Sequence, residues 1–301
     1  MKEQISSRPI VGIAWMILTG LLFVGVTAIV KYLGTSIPAA QAAFLRYVLG
    51  LILLIPMLKA LSRIVLTKEL WILFAARGFC HSIGVALWFY AMARIPIADV
   101  TAMNYLSPVC VTLGAAFFLG EKLAFRRILA VIVALIGALI ILRPGFREIG
   151  SGHLAMVGAA FVFAGSYLLA KRVSDMFVPS MVVVMLSIFV TIGLAPVAWL
   201  VWIPPSSSDI ALLFVVAALA TLGHYTMTRA FAVAPISVTQ PITFLQLVWA
   251  VLLGAAIFLE PIDVWVLSGG LVIIISISFI SWREAYLKRR HLTPPSPATK
   301  V

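Results

Sequence analysis

Ten apolar runs, each about as long as a bilayer is thick, follow one another through this sequence with short connections between them. A transmembrane helix needs roughly 20 apolar residues to cross about 30 Å of hydrocarbon. The sequence therefore predicts an all-α integral membrane protein with ten transmembrane helices. Their expected limits are residues 10–31, 38–58, 70–92, 98–119, 125–142, 152–171, 179–201, 210–233, 238–259 and 263–283.

The composition agrees with this interpretation and excludes an ordinary soluble enzyme. Hydrophobic residues make up 63% of the 301 residues and charged residues only 11%, whereas soluble domains are about half apolar and about a quarter charged. The first run follows Lys2 and Arg8 but reads as a retained helix, because it is longer than a signal-peptide core and lacks a small-residue cleavage site.

The basic residues predict the orientation of the chain. If the N-terminus is cytoplasmic, fifteen of the 22 Lys and Arg residues fall on the cytoplasmic side, four fall outside and three lie within spans. This asymmetry follows the positive-inside rule and predicts a multi-pass protein of a bacterial-type inner membrane with both termini in the cytoplasm. The net charge of +12 therefore predicts contact with the lipid bilayer and not with nucleic acid.

The second half of the sequence repeats the first. An offset of 139 residues places Ala91–Glu121 on Ala230–Glu260 without a gap, and nine of the 31 columns are identical. An offset of 140 aligns the first span with the sixth. Apolar composition alone does not produce a shared proline before a helix and a shared glutamate after it. The matched pairs include Phe23/Phe163, Lys31/Lys171, Gly84/Gly223, Pro96/Pro235, Ile97/Ile236 and Glu121/Glu260.

Each repeat contains five spans, which is an odd number, so the second copy enters the membrane from the opposite side. The sequence thus predicts two inverted five-helix repeats. The expected segments are an N-terminal segment at 1–9, the first repeat at 10–145, a linker at 146–151, the second repeat at 152–284 and a disordered basic cytoplasmic tail at 285–301.

Polar residues at helical spacing indicate where the two repeats meet. Residues three apart share a helix face, and a polar group that faces hydrocarbon without a partner costs on the order of a few kcal/mol. We expect these faces to form a central cavity in which Asn104, Ser107, Thr243 and Gln246 bind substrate, although packing through small polar groups is an alternative. The repeat pairs Thr101 with Gln240, Asn104 with Thr243, and Ser107 with Gln246.

Aromatic and basic residues on neighbouring spans extend this candidate site. Ionisable groups within a span usually face the interior or a water-filled cavity. The arginines are interpreted as gates or contacts to a substrate carboxylate, or else as side chains that extend to the headgroups. The further lining is His81, Trp88, Tyr105, His224, Tyr225 and Trp249, and the arginines are Arg46, Arg77 and Arg229.

The acidic residues limit the chemistry. All ten lie in loops or at the ends of spans, and the sequence has no metal-ligand cluster or phosphate-binding loop. We therefore expect no catalytic residue, no metal, no cofactor and no intramembrane carboxylate that binds Na⁺ or H⁺. Glu121 and Glu260 are interpreted as salt-bridge groups at helix ends. Kinks or hinges are expected at the prolines that lie within or at the start of spans, which are Pro56, Pro108, Pro196 and Pro241.

A resemblance to a known family rests on residues 106–144, which read LSPVCVTLGAAFFLGEKLAFRRILAVIVALIGALIILRP. The stretch resembles the EamA domain of the drug/metabolite transporter superfamily in its proline, its small residues, the Gly-Glu-Lys that closes the span, and a next helix that ends in Arg-Pro. FLRYVLG at 44–50 resembles the second helix of that domain. In the second copy, Leu247 replaces the proline and Pro261 replaces the lysine.

The resemblance covers nearly the whole chain and implies a carrier that works by alternating access. Length and pattern are similar to those of bacterial YddG-type amino-acid exporters. The resemblance therefore implies a secondary transporter, expected to be a monomer, that exports aromatic or neutral amino acids or a similar small molecule through the central cavity. The alternatives are a carrier of another metabolite or drug in either direction, a channel, and a non-transporting membrane scaffold or sensor.

Overall fold

The computed structural model describes residues 9–55, 67–119, 125–146, 148–174, 176–177, 179–234, 242 and 245–292. The regular structure in these ranges is helical. The helices are α1 (Pro9–Leu33), α2 (Ala39–Leu53), α3 (Lys68–Met92), α4 (Ile97–Asn104), α5 (Leu106–Leu119), α6 (Phe125–Leu142), α7 (Ser151–Ser174), α8 (Pro179–Leu200), α9 (Ser207–Val233), α10 (Leu245–Phe258) and α11 (Val264–Leu292).

These helices confirm the predicted membrane architecture. Five of the described helices are both long enough and apolar enough to cross a membrane, and four shorter ones are apolar. The fourth predicted span, at 98–119, consists of two helices, α4 and α5, that meet at Tyr105. Pro108 explains the break, because a proline has no N–H to offer the carbonyl of Asn104 and its ring crowds that carbonyl. Among the described residues, each of the other predicted spans contains one α-helix.

The last helix is longer than the sequence pattern predicted. α11 continues to Leu292, beyond residue 283, where the tenth predicted span ends. The segment WREAYLKRRHL is rich in strong helix formers, and the first proline after it is Pro294. Helix propensity therefore extends the helix beyond the end of its apolar stretch.

The packing of the helices reproduces the repeat in three dimensions. α1 packs against α9, and its counterpart α7 packs against α3, which is the counterpart of α9. In the same way, α10 contacts α1 and α5 contacts α7. α6 and α11, the last helices of the two copies, pack against each other. Each contact between the repeats therefore recurs with the roles of the two repeats swapped, which is the packing expected of two inverted five-span units, as the sequence predicted.

Two matched glycines show this symmetry at the level of atoms. A Cβ at Gly84 on α3 would lie 2.7 Å from the ring of Phe163 on α7, and a Cβ at Gly223 on α9 would lie 3.2 Å from the ring of Phe23 on α1. The glycines are partners in the repeat, and so are the phenylalanines. Each glycine admits a ring where two helices cross.

Polar side chains link the helices at one end of the bundle. We call the end at which α1 finishes and α2 begins the distal end, and the end at which α2 finishes the proximal end. At the distal end, the Gln41 side chain donates to the carbonyl of Ile203 at 2.6 Å and accepts from its N–H at 2.9 Å. Arg143 and Asp263 form an ion pair that joins α6 to α11 at the same end.

Candidate functional site

A cavity lies in the middle of the bundle and has two lobes. Their volumes are about 280 Å³ and about 250 Å³. The lobes share part of their lining, so they form one space. The shared residues are Arg46, Tyr47, His81, Tyr167, His224 and Met227, which come from α2, α3, α7 and α9.

The cavity extends from the middle of the bundle toward the proximal end. The first lobe reaches Leu54 at the end of α2 and Val183 near the start of α8. The second lobe turns toward α1, α4 and α10, where it reaches Phe23, Asn104 and Gln246. Helices of both repeats therefore enclose the space, which is the arrangement expected of a substrate site between inverted repeats.

Two ring pairs face each other across the second lobe. Phe23 contacts His224 with ring centroids 5.1 Å apart, and Phe163 contacts His81 with centroids 5.0 Å apart. His81 Nδ1 is also 3.2 Å from Ser166 Oγ. Aromatic walls with a few polar groups are typical of sites for small molecules that contain a ring.

The two arginines give the cavity its positive charge. Arg46 lies over the ring of Tyr47, with its guanidinium carbon 4.3 Å from the centroid. Arg77 donates to the carbonyl of Val182 at 3.1 Å, and its Nε is buried without a hydrogen-bond partner among the described residues. Among those residues, no aspartate or glutamate belongs to the lining. The site therefore favours a substrate with an acceptor or anionic group over a cation.

Seven of the residues predicted from sequence lie in the lining of the cavity. Two of them, Asn104 and Gln246, come from the fourth and ninth predicted spans and reach the same lobe from opposite repeats. Thr243, the predicted partner of Asn104, lies outside the described residues. The seven are Arg46, Arg77, His81, Trp88, Asn104, His224 and Gln246.

Three other predicted residues lie in packed regions beside the cavity. Ser107 is only 3% exposed, and its hydroxyl has no partner among the described residues. Tyr105 hydrogen-bonds the backbone of Leu247, and Trp249 packs against a cluster that includes Val24 and Ala250. The break at Tyr105 explains why Asn104 lines the cavity and Ser107 does not, since positions on either side of it no longer share one helical face.

Tyr225 and Arg229 are exposed instead of facing the cavity. Tyr225 is 51% exposed, and the Arg229 guanidinium carbon lies 6.0 Å from its ring centroid and 5.8 Å from that of Trp15. These contacts hold the guanidinium against aromatic rings at the surface, which is the snorkelling position that the sequence left open.

Several lining residues were not predicted as site residues. Tyr47 and Met227 belong to both lobes, and Thr19 belongs to the second lobe, beside its 2.8 Å hydrogen bond to Thr226. Tyr47 directly follows Arg46, and its ring lies under the Arg46 guanidinium. The adjacent Arg-Tyr pair within a span is the sequence signal that could have indicated Tyr47. The apolar Met227 offers no such signal.

Acidic residues at the distal end connect helices instead of entering the cavity. Glu260 pairs with Lys31 at 2.7 Å, and Asp99 on α4 pairs with His153 on α7 at 2.9 Å. Glu121, the repeat partner of Glu260, lies outside the described residues. Within the described ranges, no group of three His, Cys, Asp or Glu side chains has the geometry to hold a metal ion.

Comparison with known sequences identifies the family. The model of the EamA-like transporter family matches twice, at residues 10–143 and 150–282. This chain belongs to that family. The match covers both halves separately, which agrees with the duplicated fold, and it confirms the resemblance seen in the sequence.

Curated relatives of this EamA-family protein are transporters of several compounds. A riboflavin transporter of Vibrio cholerae is 31% identical over 95% of this chain and 98% of its own. An S-adenosylmethionine uptake transporter of Rickettsia conorii is 28% identical over 93% and 96%. The pseudopaline exporter CntI of Pseudomonas aeruginosa is 26% identical over 88% and 94%. The protein is thus a multi-pass membrane transporter by family, and amino acids are not among the compounds in these names.

A solved structure supports the fold independently. One crystal structure matches this chain with a TM-score of 0.58 over 95% of this chain and 98% of its own, at 17% identity. That likeness bears on the fold alone.

Proposed function

We propose that this chain is a secondary transporter that moves a small, ring-containing metabolite through the central cavity by alternating access. The observation that carries this proposal is the cavity itself, which lies between the two inverted repeats and is lined by helices of both. Inverted repeats around a midplane site are the usual construction of carriers that expose one site to each side in turn. We place both termini in the cytoplasm because of the basic residues.

The lining supports a substrate that combines a flat ring with an acceptor or anionic group. Phe23, Phe163 and Trp88 offer ring surfaces, and the buried Trp88 Nε1 has no acceptor among the described residues. Arg46 and Arg77 offer guanidinium groups that suit a carboxylate. An aromatic amino acid, the substrate that the resemblance implied, has both features, and we propose Asn104 and Gln246 as its hydrogen-bonding residues.

Riboflavin or a related fused-ring compound is the second candidate substrate. The riboflavin transporter of Vibrio cholerae aligns with almost the full length of this chain, and riboflavin also combines a flat ring with many acceptor atoms. The names of the relatives include both uptake and export. The direction of transport is therefore part of the experiment, and export remains the proposal from the sequence.

Uptake into proteoliposomes that contain the purified protein tests the proposal. Labelled tryptophan, riboflavin and S-adenosylmethionine are offered separately, and empty liposomes give the background. We expect uptake of one ring-containing compound, reduced about three- to tenfold in Asn104→Ala and Gln246→Ala because each loses one hydrogen bond. Ser268→Ala, whose hydroxyl bonds to its own helix at Val264, is the control. Undiminished uptake in both cavity variants, with folding intact, would contradict this placement of the site.

A further inference from the structure

A shielded ion pair at the distal end joins α1 to the end of α10. Lys31 Nζ lies 2.7 Å from Glu260 Oε1 and donates to the carbonyl of Ile95 at 2.8 Å. Glu260 Oε2 accepts from the backbone N–H of Ile97 at 2.9 Å. We call Lys31 and Glu260, with these two backbone partners, the distal latch. One glutamate thereby ties α1 and the start of α4 to the end of α10.

The backbone after α10 is shaped to place this glutamate. Leu259 has φ +54°, and the N–H of Glu260 bonds back to the carbonyl of Gly254 at 3.0 Å. The bond reaches back six positions, one more than in a Schellman motif, and the left-handed Leu259 turns the chain back over the last turn of α10. Gly254 leaves room for the Glu260 carboxylate, which a Cβ at that position would meet. Leu259 is not glycine, so the turn costs conformational energy that its contacts must offset.

The latch lies on the same short helix as a cavity residue. α4 has eight residues; Ile97 at its start binds Glu260, and Asn104 at its end lines the second lobe. Eight residues of α-helix span about 12 Å. Asp99, in the first turn of α4, also pairs with His153 on α7. A substrate that moves Asn104 would therefore act through α4 on the backbone N–H that Glu260 binds.

We propose that the distal latch is a gate: the Lys31–Glu260 bond holds the distal end closed while the cavity extends toward the proximal end, and it must break before the cavity opens distally. The proposal rests on the proposed function, since only a carrier has two such states. The pair is shielded, with side-chain exposures of 18% and 11%. Removing one partner leaves the other charge poorly compensated in the closed state, whereas an open distal end exposes that charge to water. Loss of the pair therefore favours the open state.

The sequence supports a function over simple stabilisation of one end. Lys31 and Glu260 correspond in the repeat to Lys171 and Glu121, whose side chains lie outside the described part of the chain. A carrier must close each end in turn, and the chain carries the same two residue types at the matched positions of both copies.

Accessibility of a cysteine in the cavity tests the gate without any substrate. The two native cysteines, Cys80 and Cys110, are replaced by alanine, and Val85→Cys provides a small reporter in the second lobe. A membrane-impermeant thiol reagent is then applied to one side of reconstituted vesicles at a time. We expect Glu260→Gln and Lys31→Met to raise the labelling rate from the distal side about tenfold or more, because each loses the shielded ion pair of the latch.

Asp263→Asn is the matched control, because it removes a partly exposed ion pair at the same end between α6 and α11, which pack along each other. We expect it to leave labelling unchanged. Labelling of folded Glu260→Gln and Lys31→Met at the parent rate would overturn the gate. If neither variant yields monodisperse protein, the pair is needed for folding and the gate is likewise overturned. If no compound in the uptake panel is transported, the proposed function is contradicted. The labelling rates still test the gate, because they are measured without substrate.

Discussion

Gly84 and Gly223 occupy the same position in the two repeats, and each lies against a phenylalanine ring that lines the cavity. The fit is tighter at Gly84, where an added Cβ would lie 2.7 Å from a carbon of Phe163, than at Gly223, where it would lie 3.2 Å from Phe23. Each phenylalanine in turn contacts a histidine of the same lobe. The positions of the two phenylalanine rings in the second lobe therefore depend on the absence of a Cβ at Gly84 and Gly223.

Alanine substitutions at these glycines are expected to have graded effects. Gly84→Ala forces the Phe163 ring to move, and overpacking of this kind costs about 1–3 kcal/mol of stability. Gly223→Ala requires a shift of a few tenths of an ångström and is expected to cost less. Thermal unfolding in detergent measures both, with Gly165→Ala, whose Cβ would lie 3.8 Å from Cys80 Sγ, as the control. Equal stability of Gly84→Ala and Gly165→Ala would contradict the proposed fit.

The break between α4 and α5 is the element that most directly shapes the site. It places Asn104 at the end of one helix and Ser107 in the first turn of the next, and only Asn104 of these two lines the cavity. The second copy has Leu247 where the first has Pro108. In the second copy, α10 begins at Leu245, which matches Leu106 at the start of α5.

Replacing Pro108 by the residue of the other repeat tests the role of the break. Pro108→Leu restores an N–H for the Asn104 carbonyl, so we expect one continuous helix with equal or higher thermal stability. Asn104 then turns relative to the cavity, and we expect uptake to fall about three- to tenfold, as for the loss of one hydrogen bond. Pro196→Ala, within α8, controls for removal of a proline. Unchanged uptake in Pro108→Leu would show that the break has no bearing on the site.

The sequence predicts the helices better than it predicts the faces they present. Apolar length and the repeat identified the spans and the inverted architecture, because lipid forces every backbone group to bond within its own helix. The matched polar columns led to Asn104 and Gln246, which line one lobe. Ser107 was assigned to the same face as Asn104, but the break at Tyr105 rotates the next helix relative to α4. A proline indicates a break without giving its direction.

The C-terminal helix α11 ends at a position that the apolar pattern of the sequence does not predict. Apolar length marks the membrane part of α11 but not its end, because the charged residues beyond that part are good helix formers. In contrast, the role of Glu260 at a helix end was predictable from its acidic side chain and its position after an apolar run. Its partner Lys31 was not, since their pairing depends on how α1 packs against α10.

At the scale of the molecule, the polar links and the cavity described above lie toward opposite ends of the bundle. The distal end carries the latch, the Asp99–His153 pair and the Gln41–Ile203 link, whereas the cavity reaches Leu54 and Val183 in the proximal half. Polar links at the distal end and a cavity that extends toward the other end agree with our proposal of one state of an alternating-access cycle. In the second state of the proposed cycle, the two inverted repeats would exchange their arrangements, so that the cavity opens toward the distal end.

Counterflow in proteoliposomes is the measurement that tests the carrier directly. Vesicles are loaded with an unlabelled compound that passes the uptake panel, and entry of the same labelled compound is followed from a dilute external solution. A carrier with one site exposed to each side in turn predicts that the internal compound accelerates entry and produces a transient accumulation of label above equilibrium. Entry at the same rate with and without the internal compound, or no entry through a folded protein, would contradict alternating access through this cavity.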